Sequence, residues 1–302
     1  MKSRCQKLIP LALVLVLTGA SGVDLPPLIE AAKNTDWVAV QNLLEEGADP
    51  TATAPDGATA LHWASYWDEV ESAELLIRDG ADVNAANDLG ATPLWSASMN
   101  GSADMVRSLL AAGADPNAAL LSGETPVMTA ARTGDPEVLE LILGAGANPN
   151  VSATRGQTAL MWAVGQQHID AARVLLEHGA DIHARSETWA QVMAVPPHSV
   201  NQQIVPHGGN TPLLFAARVG DLRSARLLVA YGADVNDTDA WGVSAMTLAT
   251  HSGFHEFVEF MLDEGADPSA AEAGFSPLHI AIMRRNEDLV GKLLAHGADP
   301  NA

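Results

Sequence analysis

The chain has 302 residues, enough for one large domain or two ordinary ones, and 47% hydrophobic with 18% charged content lets it bury a core. Its 16 Lys+Arg against 37 Asp+Glu give a formal charge of −21, which argues against nucleic-acid backbones and anionic membrane surfaces as partners. One cysteine, Cys5, excludes an intrachain disulfide framework and any all-thiolate metal site.

The N-terminus reads as a targeting segment. Lys2, Arg4 and Lys7 form a basic head, Leu8 to Leu17 an apolar run, and Thr18-Gly19-Ala20-Ser21-Gly22 a small-residue stretch. That is the layout of a secretory signal peptide over residues 1–22, with cleavage expected before Val23. The apolar run is short of the roughly 20 residues that span a bilayer, so no membrane insertion is expected after cleavage. Cleavage would remove three cations and Cys5, taking the charge from −21 to −21 − 3 = −24. The Ala-rich, Lys-poor composition points to an exported bacterial protein, periplasmic or secreted.

The remainder is repetitive. Gly-Ala-Asp/Asn begins at Gly47, Gly80, Gly113, Gly146, Gly179, Gly232, Gly265 and Gly297, with spacings of 33, 33, 33, 33, 53, 33 and 32. A second motif keeps the beat as Thr59-Ala60-Leu61-His62, Thr92-Pro93-Leu94-Trp95, Thr125-Pro126-Val127-Met128 and Thr158-Ala159-Leu160-Met161. It continues as Thr211-Pro212-Leu213-Leu214, Ser244-Ala245-Met246-Thr247 and Ser276-Pro277-Leu278-His279. Thr or Ser suits a helix N-cap, and Pro suits the first turn, where a missing N–H costs nothing. Paired small residues such as Ala130-Ala131 and Ala216-Ala217 allow close helix packing, and Gly101, Gly134 or Gly220 breaks the first helix. A second helix carries the apolar spacing, as in Val138, Leu139, Leu141, Ile142 and Leu143. The Gly of Gly-Ala-Asp supplies the left-handed residue that closes it, and the Asp and Asn beyond suit a turn.

In these motifs, over about residues 25–302, the sequence resembles the ankyrin-repeat family. The resemblance implies an all-α ankyrin-repeat solenoid of about eight helix-turn-helix repeats with short turn fingers. With residues 1–22 set aside, residues 23–302 form the repeat domain, in units of about 25–50, 51–83, 84–116, 117–149, 150–182, 183–235, 236–268 and 269–301. The first unit opens directly on Leu28-Ile29-Glu30-Ala31-Ala32, and atypical ends are expected of a repeat array. The last stops in the turn that normally leads onward, with Leu289, Val290, Leu293 and Leu294 in core directions, which favours a continuation beyond Ala302.

The 53-residue interval carries 20 extra residues between Ala184 and Gly208, at the finger side of a repeat. Pro196-Pro197 argues against a continuous helix, while Trp189, Met193, Val195, Val200, Ile204 and Val205 argue against a floppy loop. Such insertions often lie on the binding face, and a neutral loop folded over neighbouring fingers is the competing reading.

The resemblance also implies where partners dock: the turn tips and the exposed ends of the first helices on the concave face. Carried over by motif position, the candidate partner-binding residues are Tyr66, Trp67, Met99, Arg132, Arg155, Gln166, Arg218, Trp241, His251 and Arg284. Leu89, Phe275 and Met283 occupy further tip or helix-end slots. Large aromatics favour interfaces. Four arginines on one face of an acidic chain suggest a groove for a protein partner with acidic segments. Trp63 and Trp162 lie one step earlier and are expected in the core.

Little points to chemistry. His251 and His255 are four apart, but Gly253 between them should break the helix, so no metal site is expected. His62 and His279 fill the repeat's own His slot, which resembles a structural role, while His178 and His296 precede a closing Gly where a cation favours the helix C-terminus. There is no nucleophile elbow, phosphate loop or Cys-His pair in the mature chain, and no cofactor is expected. Asn100, Asn150 and Asn236 match the glycosylation pattern. The expected function is a monomeric, non-enzymatic protein-interaction scaffold acting after export. The alternative is the targeting arm of a longer enzyme or toxin.

Overall fold

Each 33-residue period folds into a pair of short helices, and the reasons recur from repeat to repeat. The computed structural model describes residues 25–194, 202–271 and 274–301. The expected signal segment, and Pro196-Pro197 with Val195 and Val200 in the insertion, lie outside the described residues.

Sixteen helices occur among the described residues, in two compact units that divide after Leu121. The first unit holds α1 (Pro27–Lys33), α2 (Trp37–Glu45), α3 (Ala60–Trp67), α4 (Val70–Arg78), α5 (Pro93–Asn100) and α6 (Ala103–Ala111). The second holds α7 (Pro126–Thr133), α8 (Pro136–Gly144), α9 (Ala159–Gly165), α10 (Ile169–Glu177), α11 (Pro212–Val219) and α12 (Leu222–Ala230). It continues with α13 (Ala245–Ser252), α14 (His255–Asp263), α15 (Pro277–Met283) and α16 (Glu287–Ala295). Within each unit, odd-numbered helices pack on odd and even on even, giving two layers. The core lies between the layers. Leu61, Leu160, Met128, Leu76, Leu109, Ile142, Leu175, Leu228 and Met261 are fully buried there. Each such side chain contributes about 1.5–3 kcal/mol.

The odd helices are flanked on both sides, so small residues fill them and even their hydroxyls are buried. Ser98, Thr129 and Thr250 are fully or almost fully buried and donate to the carbonyl four residues back. Thr59, Thr92, Thr158, Ser244 and Ser276 accept the expected N-cap hydrogen bond. Thr125 and Thr211 do not, and their buried hydroxyls have no partner. Nothing in the structure explains that exception.

The Gly-Ala-Asp motif closes every even helix in the same way. All eight glycines have positive φ, from 81° to 104°. The following Ala N–H then donates to the carbonyl five residues back, as in Ala48 to Leu43, Ala147 to Ile142 and Ala298 to Leu293. This is the Schellman closure, and it leaves most of the alanines buried, which is why that slot is small. The third residue accepts from the amide two positions on, as at Asp49, Asp82, Asn148 and Asp267. Asn84 and Asn150 then bridge repeats: each side chain donates to Gly113 or Gly179 O and accepts from the amide of Asp115 or Asp181. His178 and His296 place Nδ1 at 3.0 and 2.8 Å from the carbonyls four residues back, at the expected helix ends.

Neighbouring fingers touch through single backbone bonds, Asp88 N to Asp56 O and Leu121 N to Leu89 O in the first unit. The insertion is an enlarged finger of the second unit. β1 (Thr188–Ala194) pairs antiparallel with β2 (Gln202–Gly208), from Thr188 opposite Gly208 to Ala194 opposite Gln202. Glu187 N donates to Arg155 O on one side, and Ala240 N donates to Gly208 O on the other. The paired strands are therefore an addition to the helical repeats on the finger side. Gly208 (φ 88°) is fixed by space: a Cβ there would fall 1.8 Å from Glu187 O.

Candidate functional site

The candidate side chains fall in two rows: the finger tips and the last residues of the odd helices. In the first unit, Tyr66 and Trp67 close α3. Their rings meet edge-to-face at 4.9 Å, and Tyr66 meets Trp63 at 6.2 Å. Trp67 is 44% exposed, whereas Tyr66 is half-buried and burial pushes its phenol above the usual range. Met99 ends α5 beside Asn100, whose amide donates to Ser65 O and Tyr66 O and so fixes the end of α3. Trp63 lies in the core as expected, with Lys33 over its ring at 5.7 Å.

In the second unit the candidates fall into three groups. Arg132 ends α7, pairs with Glu124 at 3.1 Å and stacks over Trp162 at 5.7 Å. Trp162 was expected in the core but is only half-buried, because its indole N–H reaches Gln157 Oε1 at 2.9 Å near the finger. Arg132 is thus paired at short range, which weakens its expected role as a free cation. Gln166 follows α9 and is exposed.

Arg155 lies at a finger tip with φ 65° and stacks over Trp189 at 5.5 Å. Trp189 in turn stacks on His207, 5.8 Å away and at 25°. These two ring contacts join the hairpin base to the preceding finger. They were not legible in the sequence, since Trp189 and His207 face each other only through the hairpin register.

The third group closes the unit. Trp241, Val243, Thr247, Leu248, His251, Phe275, Ile280 and Met283 line a cleft of about 420 Å³ between the last two repeats. Trp241 and His251 were expected at the surface here. Leu248 and Ile280 were not among the candidates. Arg218, at the end of α11, donates to Asn210 Oδ1 at 3.0 Å. Arg284 follows Met283 and brings Nη1 within 3.9 Å of where a Cβ on Gly253 would sit. Of the four arginines, Arg132 and Arg155 each lie over a tryptophan ring, Arg218 holds an asparagine and Arg284 lies against the end of α13.

Three further histidines have distinct settings. His251 and His255 are separated by Gly253 at φ 82°; the first lines the cleft and the second lies near the Asn286 amide. His62 takes the Thr59 N–H on Nδ1 at 3.1 Å, which leaves Nε2–H to donate to Ala91 O at 2.9 Å. Burial holds its pKa below the usual histidine range. Among the described residues no three His, Cys, Asp or Glu side chains are grouped to hold a metal. No helix of the described residues is long and apolar enough to cross a membrane. The three glycosylation-pattern asparagines have structural bonds: Asn100 to α3, Asn150 to Gly179, and Asn236 to the amide of Asp267.

Comparison with known proteins agrees with this architecture. The family model described as "Ankyrin repeats (3 copies)" matches residues 28–119, 117–186 and 213–302, and "Ankyrin repeats (many copies)" matches residues 160–229. The chain is 35% identical over 94 residues to Ankyrin repeat and SAM domain-containing protein 6 of Rattus norvegicus, covering 30% of this chain and 10% of that protein. It is 30% identical over 125 residues to Palmitoyltransferase ZDHHC13 of Mus musculus, covering 41% of this chain and 19% of that protein. It therefore spans less than a fifth of either relative. Among solved structures, the human ASB11 ankyrin repeat domain superposes with a TM-score of 0.64 at 29% identity, covering 78% of this chain and 97% of that one. By motif, helix pairing and family match, the chain belongs to the ankyrin-repeat family.

Proposed function

We propose that this chain is a non-enzymatic protein-interaction scaffold that acts as a monomer after export, in the periplasm or outside the cell, and meets its partner through finger tips and odd-helix ends. The observation that carries this reading is a division of labour. The repeat-defining residues are committed to caps, closures and turns, whereas Trp67, Leu89, Trp241, Phe275 and Met283 are large, apolar, exposed and outside those tasks. Ankyrin repeats are protein-interaction modules, and exposed aromatics serve as interface anchors. Fold alone does not name the partner.

The test is affinity recovery from the native compartment with two forms of the chain, wild type and Trp67→Ala/Trp241→Ala. Recovery of the partner should fall at least tenfold in the double variant. Equal recovery would move the interface elsewhere. A second reading has one specific support: each relative compared above is much longer than the stretch it shares with this chain, and one is a palmitoyltransferase. In that reading the repeats are the targeting arm of a longer enzyme or toxin, and an extended reading frame would favour it.

A further inference from the structure

Exposed large apolar side chains are unevenly placed in the second unit. Trp241 (45% exposed), Phe275 (57%) and Met283 (65%) surround one cleft of about 420 Å³, floored by Leu248 and Ile280. Single exposed hydrophobes need no explanation, but three around one concavity do. The cleft is open on one side and its polar content is low. Thr247 Oγ1 already bonds Ser244 Oγ at 2.9 Å, leaving His251 as the titratable group in the lining.

Cations stand beside it. Arg284 adjoins Met283 and lies against the end of α13, Arg285 follows, and Arg218 closes the preceding odd helix. Among the described residues none of these three is ion-paired, and Arg218 is held only by the neutral Asn210. Other cations of this unit are ion-paired, Arg132 with Glu124, Arg185 with Asp237, and Lys292 with Glu259 and Asp288, or lie over an aromatic ring, as Arg155 and Arg226 do. Asp239, the carboxylate nearest Trp241 in sequence, is turned inward to the amides of Trp241 and Val243. In a chain of net charge −21, an unpaired cationic edge beside an apolar cleft selects a complementary ligand.

Resting on the interaction reading above, we propose that this cleft docks a linear protein segment that inserts one bulky apolar side chain between Trp241, Phe275 and Met283 and sets flanking carboxylates against Arg284 and Arg218. An apolar anchor supplies the burial, and guanidinium–carboxylate pairs set the register. The near absence of polar groups inside the cleft disfavours a small polar metabolite, which would need convergent hydrogen-bonding groups.

The test is selection of random dodecapeptides displayed on phage against the full chain, then fluorescence anisotropy with the synthetic winners. Enriched peptides should pair an aromatic, Leu or Met with Asp or Glu within four residues. Phe275→Ser and Met283→Ser should each weaken them about tenfold. Arg284→Glu should weaken them about fivefold, with recovery when the peptide's acid becomes Lys. Both 275 and 283 are exposed, so thermal melts should match wild type and loss of folding cannot mimic loss of the site. Peptides without carboxylates, peptides indifferent to Phe275→Ser, or no enrichment at all would overturn the proposal. If peptides instead depend on Trp67 or Arg132, this site falls while the interaction reading stands. A dimer in light scattering that Phe275→Ser abolishes would assign the cleft to a second copy, and that too overturns it.

Discussion

His62 shows how one side chain can join two repeats and fix its own charge. Its Nδ1 faces the Thr59 N–H donor and its Nε2–H faces Ala91 O, so the neutral ring is the form that fits. Burial is the main cause of the lowered pKa; the Ala91 carbonyl, Asp56 and Asp82 oppose it without reversing it. The unfolded imidazole titrates near about pH 6.5. Stability from this group is therefore full above that pH and is lost as pH falls toward the depressed folded value, because the unfolded chain takes up the proton first. Thermal melts should show the drop between pH 7.5 and pH 5. His62→Gln should melt lower than wild type at pH 7.5, and the gap should narrow as the pH falls. A gap that widens on acidification would reverse the assignment.

At the scale of the element, the same slot is filled well or badly from repeat to repeat. The odd helices α5, α7, α11 and α13 end on a left-handed glycine, but α3 ends on Asp68 at φ 59°. A non-glycine residue there is strained by about 1–2 kcal/mol, and a carboxylate also opposes the helix C-terminal dipole. Asp68→Gly should raise stability by about 1 kcal/mol, read as a higher urea midpoint with unchanged slope; no shift would mean the strain is relaxed elsewhere. Such elements were legible because each is repeated: a cap or a closing Gly seen many times in phase identifies itself. The hairpin was not, because it occurs once. Its apolar residues and Pro196-Pro197 excluded a helix and a floppy loop, but pairing Trp189 with His207 needs a register that no local pattern prints. The site was legible in part for the same reason. Slots after the paired small residues pointed to Trp67, His251 and Arg284, whereas Trp162 looked like Trp63 by slot and differs only because Gln157 draws its indole outward.

For the molecule as a whole, charge is the term that local structure does not set. The formal charge is −21, and the ion pairs among the described residues lie at partly or fully solvated sites, such as Arg107–Asp104 and Arg78–Asp79. Exposed pairs of this kind contribute about 0–1 kcal/mol each, so attraction is weak and local. Repulsion among 37 carboxylates against 16 cations is instead spread over the surface, and folding brings those charges closer than the unfolded chain does. Salt screens interactions beyond about 8–10 Å at 0.1–0.15 M, which removes more of the diffuse repulsion than of the contact pairs. Raising NaCl from 20 to 300 mM should therefore stabilise the protein by about 1 kcal/mol, roughly 2–4 °C in Tm. The same salt should weaken the acidic peptide at Arg284, because that contact is attractive. Opposite signs for the two measurements on one sample separate whole-chain repulsion from the local cationic edge. A Tm that falls with salt would mean that the solvated ion pairs outweigh the excess of carboxylates.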